Sequence, residues 1–108
     1  MINKEAEYRK LFKFNKRWAK HWTLPNAHRS HSSTTIMKMP AKKTLEFIES
    51  IDVKGVSYKE KVETLLNFYI ERETDVSSYY FNLIQNTQSS IQTIEDGQPV
   101  YIPKMPRG

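Results

Sequence analysis

A turn with the sequence Asp52-Val53-Lys54-Gly55-Val56-Ser57 divides two amphipathic segments of this 108-residue chain. Gly55 accepts the left-handed backbone conformation that ends many helices. Ser57, with Glu60 three residues later, matches the capping box that begins a helix. Apolar residues recur at helical spacing on both sides of the turn. They are Leu45, Ile48 and Ile51 before it, and Val62, Leu65, Leu66, Tyr69 and Ile70 after it. The pattern predicts two helices joined by a tight turn.

A short β-prone run, Thr34 to Met39, stands directly before the first of these helices. Pro40 follows the run. Proline cannot donate a hydrogen bond to a sheet, and it is well accepted in the first turn of a helix. The sequence therefore predicts a strand over residues 34–39 and a helix that Pro40 opens.

The segment Thr34–Arg72 resembles the ribbon-helix-helix family of DNA-binding proteins. The resemblance lies in the β-prone run, in Pro40 at the strand-to-helix joint, in the turn Gly55-Val56-Ser57 and in the second helix that begins at Tyr58. It implies an obligate homodimer whose strands pair into an antiparallel ribbon in the major groove of DNA. The same segment also fits a plain helix–turn–helix hairpin in an all-α bundle.

The resemblance also assigns roles to individual residues. It implies that Thr34, Ile36 and Lys38 face outward from the ribbon toward the bases. It further implies that the backbone N–H groups of Val56 and Ser57, with the Ser57 hydroxyl, hold a phosphate. A helix N-terminus binds anions, and a two-stranded ribbon fits the major groove, so both roles are physically reasonable.

Residues 3–22 are predicted to form a helix, because no Pro or Gly interrupts them and Glu5 and Glu7 complement the helix dipole at its start. Apolar side chains form a stripe along this helix, and basic side chains fall largely on its other side. The stripe contains Tyr8, Leu11, Phe12, Trp18, Ala19 and Trp22, and the basic side contains Lys10, Lys13, Arg17 and Lys20. Pro25 ends the helix, and residues 23–33 are predicted to be a loop.

Positive charge is concentrated at the start of the chain. Residues 1–43 carry eleven Lys/Arg and two Glu, a net charge of +9, whereas residues 44–108 carry a net charge of −4. A basic segment with interleaved aromatic rings is typical of nucleic-acid binding, because cations neutralise phosphates and rings stack on exposed bases. Two alternatives stay open. The basic helix can lie on an anionic membrane surface, or the aromatic side chains can belong to the core beneath solvated lysines.

A further helix, or a continuation of the preceding one, is predicted over residues 75–94. The sequence Glu95-Asp96-Gly97 then turns the chain, and three prolines predict an extended tail over residues 98–108. The predicted fold is mainly α: a short strand and two helices at 34–72, preceded by a basic helix and linker at 1–33. A C-terminal helix and tail occupy residues 73–108.

These patterns predict a nucleic-acid-binding protein without enzymatic activity or cofactor. It is expected to be a dimeric DNA-binding repressor or accessory factor that uses a β-ribbon and a basic arm. The alternative is a small structural subunit of a large ribonucleoprotein assembly, ribosomal or organellar, that contacts RNA and neighbouring subunits. The predicted nucleic-acid-binding residues are Lys10, Lys13, Lys16, Arg17, Trp18, Lys20, Arg29, Thr34, Ile36, Lys38, Lys42, Lys43 and Ser57.

Composition argues against several other classes of protein. The chain has no Cys and only three Gly, which excludes disulfides, thiolate metal sites and a glycine-rich phosphate loop. His21, His28 and His31 have no carboxylate near them in the predicted loop, so no metal site is predicted. There is no apolar run of about 20 residues that could span a membrane, and no apolar signal core at the start. A cytoplasmic location is expected, with nucleoid-associated or mitochondrial locations as alternatives.

Overall fold

The computed structural model describes residues 2–23, 31–73 and 77–102, with side chains at 2–21, 41–73 and 80–102. Four helices account for most of these residues: α1 (Lys4–Thr23), α2 (His31–Ile51), α3 (Tyr58–Arg72) and α4 (Ser77–Glu95). Helix α1 packs against each of the other three, and α3 also packs against α2 and α4. The described part of the chain is therefore an all-α bundle organised around its first helix.

The predicted strand over residues 34–39 is wrong. Helix α2 begins at His31 and runs through these residues to Ile51, and the described residues contain no strand. A helix forms its backbone hydrogen bonds within itself, whereas a strand of six residues depends entirely on a pairing partner. The ribbon, and the strand-paired homodimer built on it, therefore lose their structural basis.

Two boundary predictions change with the strand. Pro40 lies inside α2 and does not open it, and residues 23 and 31–33 of the predicted loop are helical, in α1 and α2 respectively. The rest of that loop, residues 24–30, lies outside the described residues, as do residues 74–76 and 103–108. The remaining helical predictions, over residues 3–22, 58–72 and 75–94, agree with α1, α3 and α4 within the described residues.

The core lies where the four helices meet. Aromatic and aliphatic side chains fill it, including Tyr8, Leu11, Phe12, Ile48, Val62, Leu65, Tyr69, Tyr80, Leu83 and Ile94. The rings of Phe47 and Phe68 stack with centroids 4.2 Å apart, and the Arg72 guanidinium lies 3.9 Å from the Phe68 centroid. Burial of these large side chains stabilises the bundle by about 1.5–3 kcal/mol for each.

The helix ends follow local chemistry. Asn3 Oδ1 accepts the Ala6 N–H at 3.2 Å, and the Ser57 hydroxyl accepts the Glu60 N–H at 3.2 Å, so these side chains cap α1 and α3. Gly55, at φ +87°, turns the chain between α2 and α3 as predicted. Gly97, at φ +83°, follows α4. There, N–H groups of Gly97 and Gln98 bond the carbonyls of Ile94 and Thr93, which is the Schellman arrangement.

The segment after α4 folds back onto α1. Val100 is buried, and its N–H donates a 2.9 Å hydrogen bond to Glu7 Oε1. Near the end of α4, Glu95 accepts a 2.7 Å hydrogen bond from the Tyr8 hydroxyl. Burial, and then this hydrogen bond to the Glu95 carboxylate, raise the pKa of Tyr8. Residues 98–102 are non-helical, and these contacts with α1 fix their path across the surface.

Candidate polyanion-binding groove

An open groove of about 730 Å³ runs along α1 and faces the turn between α2 and α3. Five cationic side chains from α1 line it, together with apolar, aromatic and acidic residues from three parts of the chain. The lining residues are Lys10, Lys13, Lys16, Arg17, Lys20, Phe12, Asp52, Tyr58 and Ile102. We refer to this concavity as the basic groove.

Helical geometry explains the row of cations. Lys10, Lys13, Arg17 and Lys20 are separated by three, four and three residues, so they share one side of α1. Ten residues of α-helix rise about 15 Å, which sets the length of the row. The opposite side of the helix is buried in the core, which forces the basic side outward.

The net charge of α1 equals that of the whole chain. The helix contains seven Lys/Arg and two Glu, a net charge of +5, and the full chain has the same net charge of +5. All other residues together are thus neutral. That neutrality is a balance between a net charge of +4 on residues 24–43 and of −4 on residues 44–108. Positive charge is therefore densest along α1 and continues into residues 24–43.

The acidic residue of the groove is largely neutralised by a buried lysine. Lys61 Nζ, with only 6% of its side chain exposed, lies 2.9 Å from Asp52 Oδ1, and Lys16 Nζ lies 3.9 Å from Asp52 Oδ2. The hydrogen bond from Lys61 lowers the pKa of Asp52 below its ordinary value. Lys61 also lies 4.4 Å from the centroid of the Tyr58 ring. Asp52 therefore pairs mainly with Lys61 and interacts more weakly with the α1 cations.

Lys10 and Lys16 form ion pairs with carboxylates of the chain, whereas Lys13 and Arg17 form none among the described residues. Lys10 Nζ donates to Glu7 at 2.8 Å, yet 55% of its side chain stays exposed. Lys13 and Arg17 are both exposed. These two side chains are the best placed to take up an external anion.

The N-terminus of α3 holds an internal anion. The Tyr58 N–H lies 3.0 and 3.2 Å from the two carboxylate oxygens of Glu5, which belongs to α1. The Ser57 hydroxyl is used as the helix cap. The ribbon-helix-helix resemblance implied that the backbone at Val56 and Ser57 would hold a phosphate at this helix terminus. In the structure, the Glu5 carboxylate already lies there.

The structure brings together five of the predicted binding residues and separates the others. Lys10, Lys13, Lys16, Arg17 and Lys20 line the basic groove. Trp18 is partly buried and packs against the core, with its ring 6.2 Å from that of Phe14. Lys42 and Lys43 are exposed on α2 and do not line the groove.

The remaining predicted positions cannot form the expected ribbon. Thr34, Ile36 and Lys38 lie within helix α2, where a β-ribbon is impossible, and their side chains are outside the described set. Arg29 lies outside the described residues. Sequence reasoning missed Asp52, Tyr58 and Ile102, because only the tertiary fold brings them to α1.

The described residues form neither a membrane span nor a metal site. None of the helices in the described ranges combines the length and the hydrophobicity of a membrane-spanning segment. Within that same part of the chain, no three His, Asp or Glu side chains cluster as metal ligands would.

No protein-family model matches the sequence, and comparisons with curated proteins and with solved structures found no significant match.

Proposed function

We propose that this chain binds the sugar–phosphate backbone of nucleic acid in the basic groove. The observation that carries the proposal is the convergence of five α1 cations on one concave surface. Phosphates are spaced a few ångströms apart along a strand, and a cationic row about 15 Å long can contact several of them at once. Release of their counterions then supplies the binding free energy.

The burial of α1 favours a polyanion over a membrane surface as the partner. A helix that lies on a membrane inserts its apolar side among the lipid chains. In α1 that side is occupied: Tyr8, Leu11, Phe12 and Ala19 are each at most 2% exposed. What α1 presents outward is its charged side, which suits phosphates in water.

The proposal covers a free nucleic-acid-binding protein and a subunit of a ribonucleoprotein assembly alike. Both would use the same groove to neutralise phosphates. Base reading by a β-ribbon has no part in it, because residues 34–39 are helical. The contacts proposed here go to the backbone and are independent of base sequence.

Fluorescence anisotropy with labelled oligonucleotides, titrated at several salt concentrations, tests the proposal. If all five cations contact phosphates, the slope of log K against log [salt] approaches about −3.5 for single strands or −4.5 for duplex DNA. Substitution of Lys13→Glu and Arg17→Glu together is expected to reduce that slope by about 1.4–1.8.

A matched double variant controls for net charge. Lys42→Glu with Lys43→Glu makes the same change in net charge at exposed positions outside the groove. We expect this variant to retain most of the binding. Equal losses in the two variants, or no binding by the unsubstituted chain, would overturn the proposal.

A further inference from the structure

A second concavity, of about 380 Å³, lies between α1, α4 and residues 98–102. Its chemistry differs from that of the basic groove, because none of its lining residues carries a charge. Leu11, Phe14 and Leu83 supply apolar walls, while Asn86 and Ser90 supply an amide and a hydroxyl. We refer to this concavity as the neutral pocket.

The neutral pocket and the basic groove adjoin each other. Ile102 lines both, so the chain after α4 forms the boundary between them. The hydrogen bond from the Val100 N–H to Glu7, at 2.9 Å, holds this boundary against α1. Because the two concavities share Ile102 as a wall, a ligand seated among the α1 cations lies next to the neutral pocket.

An exposed aromatic ring stands at the neutral pocket. Tyr101 lines the pocket, and 83% of its surface is accessible to solvent. An aromatic side chain that is so exposed contributes little to the stability of the fold. Aromatic rings in this position are what proteins use to stack on unpaired bases.

We propose that the neutral pocket accepts one unpaired nucleobase of a strand whose phosphates lie in the basic groove. This inference rests on the proposed function and narrows it to single-stranded nucleic acid or unpaired regions. A nucleobase is uncharged and planar, with donors and acceptors on its edge, and it matches apolar walls beside an amide and a hydroxyl. The phosphates attached to it require cations next to such a pocket, and α1 provides them.

Duplex nucleic acid has no unpaired base for the neutral pocket to accept. Bases within a duplex are stacked and paired, and extruding one costs a few kcal/mol. The basic groove can still contact the phosphates of a duplex. We therefore expect the chain to bind single strands more tightly than duplexes of the same length at equal salt.

The decisive comparison uses two single strands of equal length, one with bases and one abasic throughout. Both present the same phosphates, so a difference in affinity reports the bases alone. The base-bearing strand is expected to bind about tenfold more tightly or better, as one stacked and bonded base commonly provides. The slope with salt should be the same for both strands.

Substitutions then locate the base contact. Tyr101→Ala and Asn86→Ala are expected to shrink the difference between the strands without changing the slope with salt. Both positions are exposed, so the fold should tolerate the changes. Gln88→Ala, at an exposed position of α4 outside the pocket, is the control and should leave the difference intact.

The outcomes separate the two proposals. Equal affinity for the base-bearing and abasic strands would overturn the base pocket and leave phosphate binding standing. A preference that survives both pocket substitutions would also overturn it. Failure of both strands to bind would overturn the proposed function itself.

Discussion

The Tyr69 hydroxyl donates a 2.8 Å hydrogen bond to Asn15 Oδ1 in the interior of the bundle. Asn15 Nδ2 in turn donates to the Leu11 carbonyl at 2.8 Å, and Asn15 is only 2% exposed. This polar link joins α3 to the side of α1 that faces the core. It satisfies a buried amide that would otherwise destabilise the fold.

Substitution of Tyr69→Phe is expected to lower the free energy of unfolding by about 1–3 kcal/mol, because the Asn15 carbonyl oxygen loses its partner while it stays buried. Urea denaturation at neutral pH measures the change. In the background of Asn15→Leu, the same Tyr69→Phe substitution should cost much less. A cost that is equal in both backgrounds would show that the link contributes nothing.

A second prediction concerns how the contribution of Glu7 to the stability of the fold depends on pH. Glu7 is only 6% exposed, and its carboxylate accepts hydrogen bonds from Lys10 Nζ at 2.8 Å and from the Val100 N–H at 2.9 Å. These bonds, that from Lys10 above all, lower the pKa of Glu7 below its ordinary value of 4.5. A carboxyl group with a lowered pKa stabilises the folded state above its ordinary pKa and loses this contribution as the pH falls through the lowered value.

Glu7→Gln is therefore expected to destabilise the chain at pH 7 by about 1.5–3 kcal/mol, which is the range for hydrogen bonds to a charged group. The difference from the unsubstituted chain should shrink as the pH falls below 4.5. Thermal unfolding across this range measures both effects. Glu49→Gln, at an exposed position of α2, is the control. If the stability of Glu7→Gln and that of the unsubstituted chain changed with pH in parallel, this role of the Glu7 carboxylate would be contradicted.

The helices that the sequence predicts correctly are those whose signals are local. Three- and four-residue spacing of apolar side chains located α1, α3 and α4, and Gly55 with Ser57 marked the turn before α3. The error at residues 34–39 has a physical cause. Strand propensity reflects packing against neighbouring strands, so a β-prone run without a partner can become part of a longer helix.

The candidate site was predictable only along one helix. Spacing within α1 was enough to place Lys10, Lys13, Arg17 and Lys20 together. Asp52 lies far away in the sequence, and no local pattern links it to α1. The buried Asn15 was also missed, because a polar residue on a basic helix is read as exposed until its partner Tyr69 is known.

A third prediction concerns the glycines that end helices. Gly55 and Gly97 have φ values of +87° and +83°, and a Cβ atom built on either would meet nothing within 4 Å. Substitution of either by Ala therefore carries only the conformational cost of a left-handed residue, about 1–2 kcal/mol. Urea denaturation should give similar losses for both. A negligible loss at Gly55 would show that the turn before α3 can adopt another conformation.

The last prediction concerns Asp52, where stability and binding should change in opposite directions. Asp52→Asn keeps the size of the side chain but removes the charge that faces Lys61 at 2.9 Å and Lys16 at 3.9 Å. Lys61 is buried and would lose its counter-charge. Since 34% of the Asp52 side chain is exposed to solvent, we expect a modest loss of about 1–2 kcal/mol in the free energy of unfolding.

In the basic groove the same substitution removes the negative charge nearest to Lys16. Lys16 can then contact a phosphate without competition, so nucleic acid should bind more tightly and the slope with salt should steepen by up to about 0.7–0.9. Paired urea denaturation and anisotropy titrations on one preparation measure both effects. Weaker binding by a folded Asp52→Asn variant would mean that the phosphates follow a path away from Lys16 and Asp52. Because a merely unstable variant would also lose binding, the comparison is made at a temperature where the variant is fully folded.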